Sequence, residues 1–184
     1  MLRAILKAAI GRFEKRYDYD VSYMRQLIDA DPAAFQAFSA VQKLSSYRKG
    51  APPAAIAAAG LIGTMAEDCG PCTQIGVKIA EEAGLPSRIL KGILTGDEAA
   101  MGPDASLARR FALASLARDL EAADPLRDEV VRRWGEKGLA ALALSMAAAR
   151  VYPTVKYALG HGKACSKVRV ADEDLVVTGG QLAA

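Results

Sequence analysis

An all-α fold is the class this sequence predicts, and three observations carry it. About a fifth of the 184 residues are alanine and 52% are hydrophobic, enough apolar material and length for one sizeable core. Aromatic residues make up only 6%, and alanine and leucine far outnumber the β-branched residues except at the two ends, which argues against a sandwich or barrel. Along most of the chain the apolar residues recur with the period of a helix that buries one face.

Residues 2–16 place Leu2, Ile5, Leu6, Ala9, Ile10 and Phe13 on one face with Lys and Arg opposite, which predicts an amphipathic docking helix. Asp20 is placed to cap a helix through Tyr23, Leu27 and Ile28. Asp31-Pro32 pairs a cap with a first-turn proline and opens a helix through Phe35, Phe38, Val41 and Leu44. The cluster Arg48-Lys49-Gly50-Ala51-Pro52-Pro53 then breaks the chain and divides an N-terminal helical arm, 1–49, from a main helical body, 50–166. Residues 54–65 are nearly all Ala, Ile and Leu, with Gly60 and Gly63 among them, so this helix is expected to be buried against close backbone neighbours. Gly70-Pro71 starts the next helix, carrying Ile75, Ile79, Ala80 and Ala83 to a stop at Gly84. A short helix follows over 87–94, then a loop over 95–104. Asp104 is expected to cap a helix over 105–120, and Asp124-Pro125 to start another that ends at Gly135. A long helix over 137–159 contains Pro153 and is expected to kink near 149–151. The tail, 167–184, alternates Val168 and Val170 before Leu175-Val176-Val177, the pattern of a short extended arm ending in Gly179-Gly180.

Charge narrows the function classes. Twenty-four Lys and Arg stand against 21 Asp and Glu, a net charge of +3, and the signs are interleaved, so no basic footprint for nucleic acid forms. No uncharged apolar run reaches the roughly 18 to 20 residues of a membrane-spanning helix. Lys7 interrupts the first apolar run and Arg12, Lys15 and Arg16 follow it, so no secretory core forms there. A cytoplasmic protein that engages neither nucleic acid nor membrane is expected.

The sharpest feature is Cys69-Gly70-Pro71-Cys72. Residues i and i+3 share a helix face, so the two sulfurs come within reach of a disulfide. A helix N-terminus carries partial positive charge and unpaired amide hydrogens, which favour the reactive thiolate. Glu67 and Asp68 stand just before the pair and oppose that charge, although a carboxylate there also serves as a proton acceptor. As the cap residue, Cys69 is expected to be the more exposed thiol. A structural zinc site needs four ligands, and His161 and Cys165 are the only further candidates, distant from the pair. No metal and no cofactor is expected. His161 on its own reads as a surface or hydrogen-bonded histidine, and Cys165 as a small core residue.

Cys69 to Cys72 is also the four-residue active-site sequence of thioredoxins, but those proteins place a β-branched strand before it, where this chain has an alanine-rich helix. Residues 57–85 instead resemble the core segment of the carboxymuconolactone decarboxylase and alkylhydroperoxidase D-like family. The order of features is the same: an apolar helix, a break at Asp68, the dithiol, a helix over 73–83 and a closing Ala83-Gly84-Leu85. The resemblance extends more loosely over about 50–160, through the helix around Phe111, the segment ending at Trp134-Gly135 and the long helix from Leu139. It implies an all-helical bundle, a homotrimer or homohexamer, and a disulfide-cycling site acting on a peroxide or a disulfide with a thiol reductant. In peroxidase members the second cysteine attacks and the first resolves, which would give Cys72 and Cys69 those roles. The family's relay also uses a histidine four residues after the second cysteine, where this chain has Gly76, and an upstream glutamate with no acidic counterpart near Ala57. Loss of a positioned acid or base commonly costs about two to four orders of magnitude in rate, and Glu67 is the nearby substitute. The expected catalytic set is therefore Cys69, Cys72 and Glu67. The rival expectation is a non-catalytic helical assembly protein that keeps the dithiol and binds a partner through its N-terminal arm.

Overall fold

Five helices among the described residues start at a side-chain acceptor or a first-turn proline. The computed structural model describes residues 1–162 and 167–177. The elements are α1 (Leu2–Tyr17), α2 (Ser22–Ala30), α3 (Pro32–Ser39), α4 (Gln42–Ser45), α5 (Pro53–Met65), α6 (Gly70–Glu82), α7 (Ser87–Thr95), α8 (Glu98–Ala117), α9 (Leu120–Ala158), β1 (Lys167–Val170) and β2 (Glu173–Val176). The fold is all-α with a short C-terminal tail.

Asp31 accepts from the Ala33 N–H at 2.8 Å and caps α3 as expected, whereas α2 is capped by Val21 without a side-chain acceptor, and Asp20, one residue earlier, accepts from the Ser22 N–H at 2.9 Å. The helix opened by Pro32 stops at Ser39, however, and Leu44 belongs to the separate single turn α4. Two later starts lie upstream of the expected ones. Asp97, not Asp104, caps α8 by accepting from the Ala100 N–H at 3.0 Å; one helical turn precedes Gly102, whose φ of 77° breaks the element. Asp119, not Asp124, caps α9 by accepting from the Ala122 N–H at 3.1 Å. The good helix formers at 120–123 extend the helix above Pro125 at the cost of a single i→i−4 bond, and Asp124 pairs with Arg127 instead. Gly135, at φ 65° and ψ −179°, divides α9, as its sequence position suggests. Around Pro153 the backbone keeps helical dihedrals.

The helix α5 is the axis of the main body. Ile56, Ala58, Ala59, Leu61, Ile62 and Met65 are buried on it, and it packs against α6, α7, α8 and α9. Its small residues allow the α9 backbone to come close: a Cβ at Gly63 would lie 2.9 Å from the Met146 carbonyl oxygen. By length and composition α9 is apolar enough to cross a bilayer, with 33% of its most apolar window buried. In this fold it lies along α5 and α8.

A second apolar cluster joins the N-terminal arm to the body. Ile10, Tyr19, Tyr23, Met24, Ile28 and Phe38 meet Ile75 on α6 and Val151, Tyr152 and Val155 on α9. Edge-on aromatic contacts run from Tyr19 to Tyr23, then Phe38, then Tyr152, at centroid distances of 6.3, 5.7 and 5.4 Å, a geometry favoured by ring quadrupoles. Polar clips fix the arm to α6: Tyr17 donates to Glu82 at 2.9 Å, and Lys78 donates to the Tyr17 carbonyl at 2.7 Å.

The tail is a hairpin and not a free arm. Strands β1 and β2 pair antiparallel, Val168 opposite Leu175 and Val170 opposite Glu173, around a turn in which Ala171 takes φ 51°. Val168 and Val170 are buried in the main core. Gln74 locks the hairpin to α6 with both ends of its amide, donating to the Arg169 carbonyl at 2.8 Å and accepting from the Arg169 N–H at 2.6 Å. The Gly179-Gly180 end lies outside the described residues.

Candidate functional site

The dithiol sits where α5 turns into α6. The turn at 66–68 passes through Asp68 at φ 49°, Cys69 is the cap residue, and Cys72 lies in the first turn of α6. The two form a disulfide with their Cα atoms 5.2 Å apart. Thr73 anchors the loop: its N–H donates to the Cys69 carbonyl at 2.9 Å, and its hydroxyl lies 3.1 Å from both that carbonyl oxygen and the Thr64 hydroxyl. Pro71 has no N–H, so the donors left at the head of α6 belong to Gly70 and Cys72.

Exposure overturns one expectation. Cys69 is 2% exposed and Cys72 6% exposed, so the cap position does not make Cys69 the accessible sulfur. Helix α9 covers the turn before it: Tyr157 donates to the Asp68 carbonyl at 3.2 Å, and Arg150 pairs with Glu67 at 2.5 Å. The Glu67 carboxylate is thereby drawn toward α9 at the back of the turn.

Cys72 has different company. Its sulfur lies 3.7 Å from the Tyr19 hydroxyl, which lies 3.4 Å from the Tyr23 hydroxyl. The ammonium of Lys156, a residue only 3% exposed, sits 4.9 Å from the centre of the Tyr19 ring, within the range of a cation–π contact. Burial pushes the phenols of Tyr19 and Tyr23 up from their usual range, since charging either would place an anion away from water. Both hydroxyls therefore keep their protons, and the Tyr19 hydroxyl stands within hydrogen-bond reach of both the Tyr23 hydroxyl and the Cys72 sulfur. Sequence reasoning missed Tyr19 and Lys156. The i, i+4 spacing of Tyr19 and Tyr23 was visible, but the contact with Cys72 spans 53 residues of sequence.

A cavity of about 430 Å³ opens beside Cys72, between the arm and the α5–α6 face. Gly76, one helical turn after Cys72, is part of its wall, and a Cβ there would come 3.0 Å from the Leu61 side chain. The position where the resembling family carries histidine is thus a smooth part of an apolar wall. His161 reaches the arm, its Nε2 2.6 Å from the Gln26 side-chain oxygen, as a hydrogen-bonded histidine tying the end of α9 to the arm. Cys165 lies outside the described residues. Among the described residues no three His, Cys, Asp or Glu side chains converge as a metal-binding group.

No family model, curated protein or solved structure matches this chain.

Proposed function

We propose that the chain is a thiol–disulfide oxidoreductase of the alkylhydroperoxidase D-like kind, cycling Cys69 and Cys72 between dithiol and disulfide. One observation carries the reading: a disulfide at the head of a helix whose second sulfur meets a buried tyrosine hydroxyl and faces a cavity. In the peroxide half-cycle the Cys72 thiolate attacks the O–O bond of a hydroperoxide. With one proton taken up, an alcohol leaves and Cys72 becomes a sulfenic acid. The Cys69 thiol displaces water from that sulfur to form the disulfide, and a thiol reductant restores the pair by exchange. Tyr19, with Tyr23 behind it, supplies the hydrogen bond to the thiolate that Gly76 does not, and Glu67 is the carboxylate assigned to proton transfer on the Cys69 side. A homotrimeric or homohexameric particle and a cytoplasmic setting belong to the same proposal.

The test is the redox state of the reduced protein after brief exposure to a small excess of cumene hydroperoxide, mapped by peptide mass spectrometry. Formation of the Cys69–Cys72 disulfide much faster than in an unstructured peptide of the same sequence supports the reading, as does loss of peroxide turnover in Cys72→Ser. If both thiols stay reduced under peroxide and under a small-molecule disulfide, the oxidoreductase reading fails. The non-catalytic assembly protein then takes its place.

A further inference from the structure

The cavity has chemistry beyond the dithiol. Its wall is mostly carbon: Phe13, Tyr23, Phe38 and Met24 from the arm face Ile56 and Leu61 from α5. The interior is deeply buried, with Tyr23 at 1%, Leu61 at 2% and Ile56 at 4% exposure. Toward solvent the character changes. Ser39, Gln42, Ser45 and Arg48 line the same space, and Gln42 and Arg48 are exposed. Among the described residues Arg48 is the only charged side chain lining it, and no carboxylate does. Among the described residues its guanidinium makes no ion pair, donating only its Nε–H to the Ser45 carbonyl at 3.3 Å, so the remaining donors of the fork are available.

An apolar interior with one cationic fork at a polar mouth matches an amphiphile with one chain and one anionic head. We propose that this cavity binds a single-chain aliphatic carboxylate of the fatty-acid type, its head on Arg48 and its chain along the buried wall toward Cys72. The volume, about 430 Å³, suits one alkyl chain and not a two-chain lipid. Small residues keep the passage open, since Ala57, Gly60 and Gly76 form the wall where larger side chains would fill it. The occupant contacts both the arm and the body, so it also closes the seam between them. The inference needs no turnover at the dithiol and stands apart from the redox reading.

The experiment is calorimetric titration of the folded full chain with dodecanoate below its micellar range, paired with dodecan-1-ol as the uncharged chain. Saturable binding of about one dodecanoate per chain is expected. Arg48→Gln, an exposed change, should weaken dodecanoate by about tenfold while leaving the alcohol unchanged, because a charge-assisted contact is lost. Ala57→Phe should remove binding of both. In the reduced wild-type protein, saturating dodecanoate should also slow alkylation of Cys72 by iodoacetamide by about fivefold or more, a readout that needs neither variant nor turnover. Non-saturable heats to millimolar dodecanoate overturn the proposal. So does equal affinity for acid and alcohol that Arg48→Gln leaves unchanged, which would mark a general apolar space. Failure of the peroxide reaction with saturable binding intact would remove the redox reading and leave this one standing.

Discussion

At the scale of single residues, the contact between Tyr19 and Cys72 separates this site from a dithiol that is merely near a helix end. A hydrogen bond to a charged acceptor is worth about 1.5–3 kcal/mol, so Tyr19→Phe should slow alkylation of Cys72 in the reduced protein by about ten- to a hundredfold at neutral pH. The pH midpoint of that reaction should move upward, because the thiolate loses a donor. Far-ultraviolet circular dichroism checks that the helices survive, and an unchanged rate with an unchanged midpoint sinks the tyrosine chain. Glu67 gives a contrasting case. Its contact is with Arg150, so Arg150→Met should alter the rate only if the turn at 66–68 depends on α9. The dithiol and the carboxylate before it were legible as residue types. Tyr19 and Lys156 were not, because an aromatic ring or a lysine on a helical period carries no mark of the partner it meets across the fold.

At the scale of elements, caps and breaks decide where the helices lie. Asp119 supplies the acceptor at the head of α9, and Asp119→Ala should cost about 1 kcal/mol. Asp124→Ala, removing only an exposed ion pair with Arg127, should cost less than half of that; urea unfolding midpoints rank the two. Gly135 makes a cleaner test, since a Cβ there meets no atom within 4 Å while the backbone sits at φ 65° and ψ −179°, a region essentially reserved for glycine. Gly135→Ala should therefore destabilise by about 1–3 kcal/mol through backbone strain alone, with the urea dependence of unfolding unchanged. The hairpin shows what local pattern misses. Its turn has no Asn-Gly or Asp-Gly signal, and Ala171 adopts a positive φ because Gln74, Glu81 and Lys91 hold the two strands against the helices.

At the scale of the whole molecule, titration should bound stability on both sides. Burial raises the phenols of Tyr19, Tyr23 and Tyr152 in the folded protein. Their contribution is complete below the ordinary tyrosine value near 10 and is lost as pH climbs above it, because the unfolded chain then releases protons that the folded chain retains. On the acid side, hydrogen bonds from Arg132 and Arg133 hold Glu129 down to about 2, and those from Arg25 and Arg169 lower Glu14 and Asp174. These contributions are present above about pH 4 and fade as pH falls toward 2, each small because the groups are exposed. Denaturant midpoints across pH should form a plateau between about 5 and 9 with a steeper alkaline edge, since the tyrosines are buried where the carboxylates are not. A flat profile through pH 11 would contradict the burial of the aromatic cluster.

Helical class, the apolar helix α5, the dithiol at the head of α6 and the Asp31-Pro32 start of α3 were determined by the sequence itself. Each depends on a short stretch of chain in which period, proline or cap residue acts on its neighbours. The choice of Asp97 and Asp119 over Asp104 and Asp124, the folding of the tail into a buried hairpin and the greater burial of Cys69 were decided only by tertiary structure. So was the cavity, which exists because the aromatic face of the arm and the small-residue face of α5 and α6 meet without filling the space between them. Packing between distant segments is set by complementary shape and solvent exclusion, and neither is written in any local run of residues.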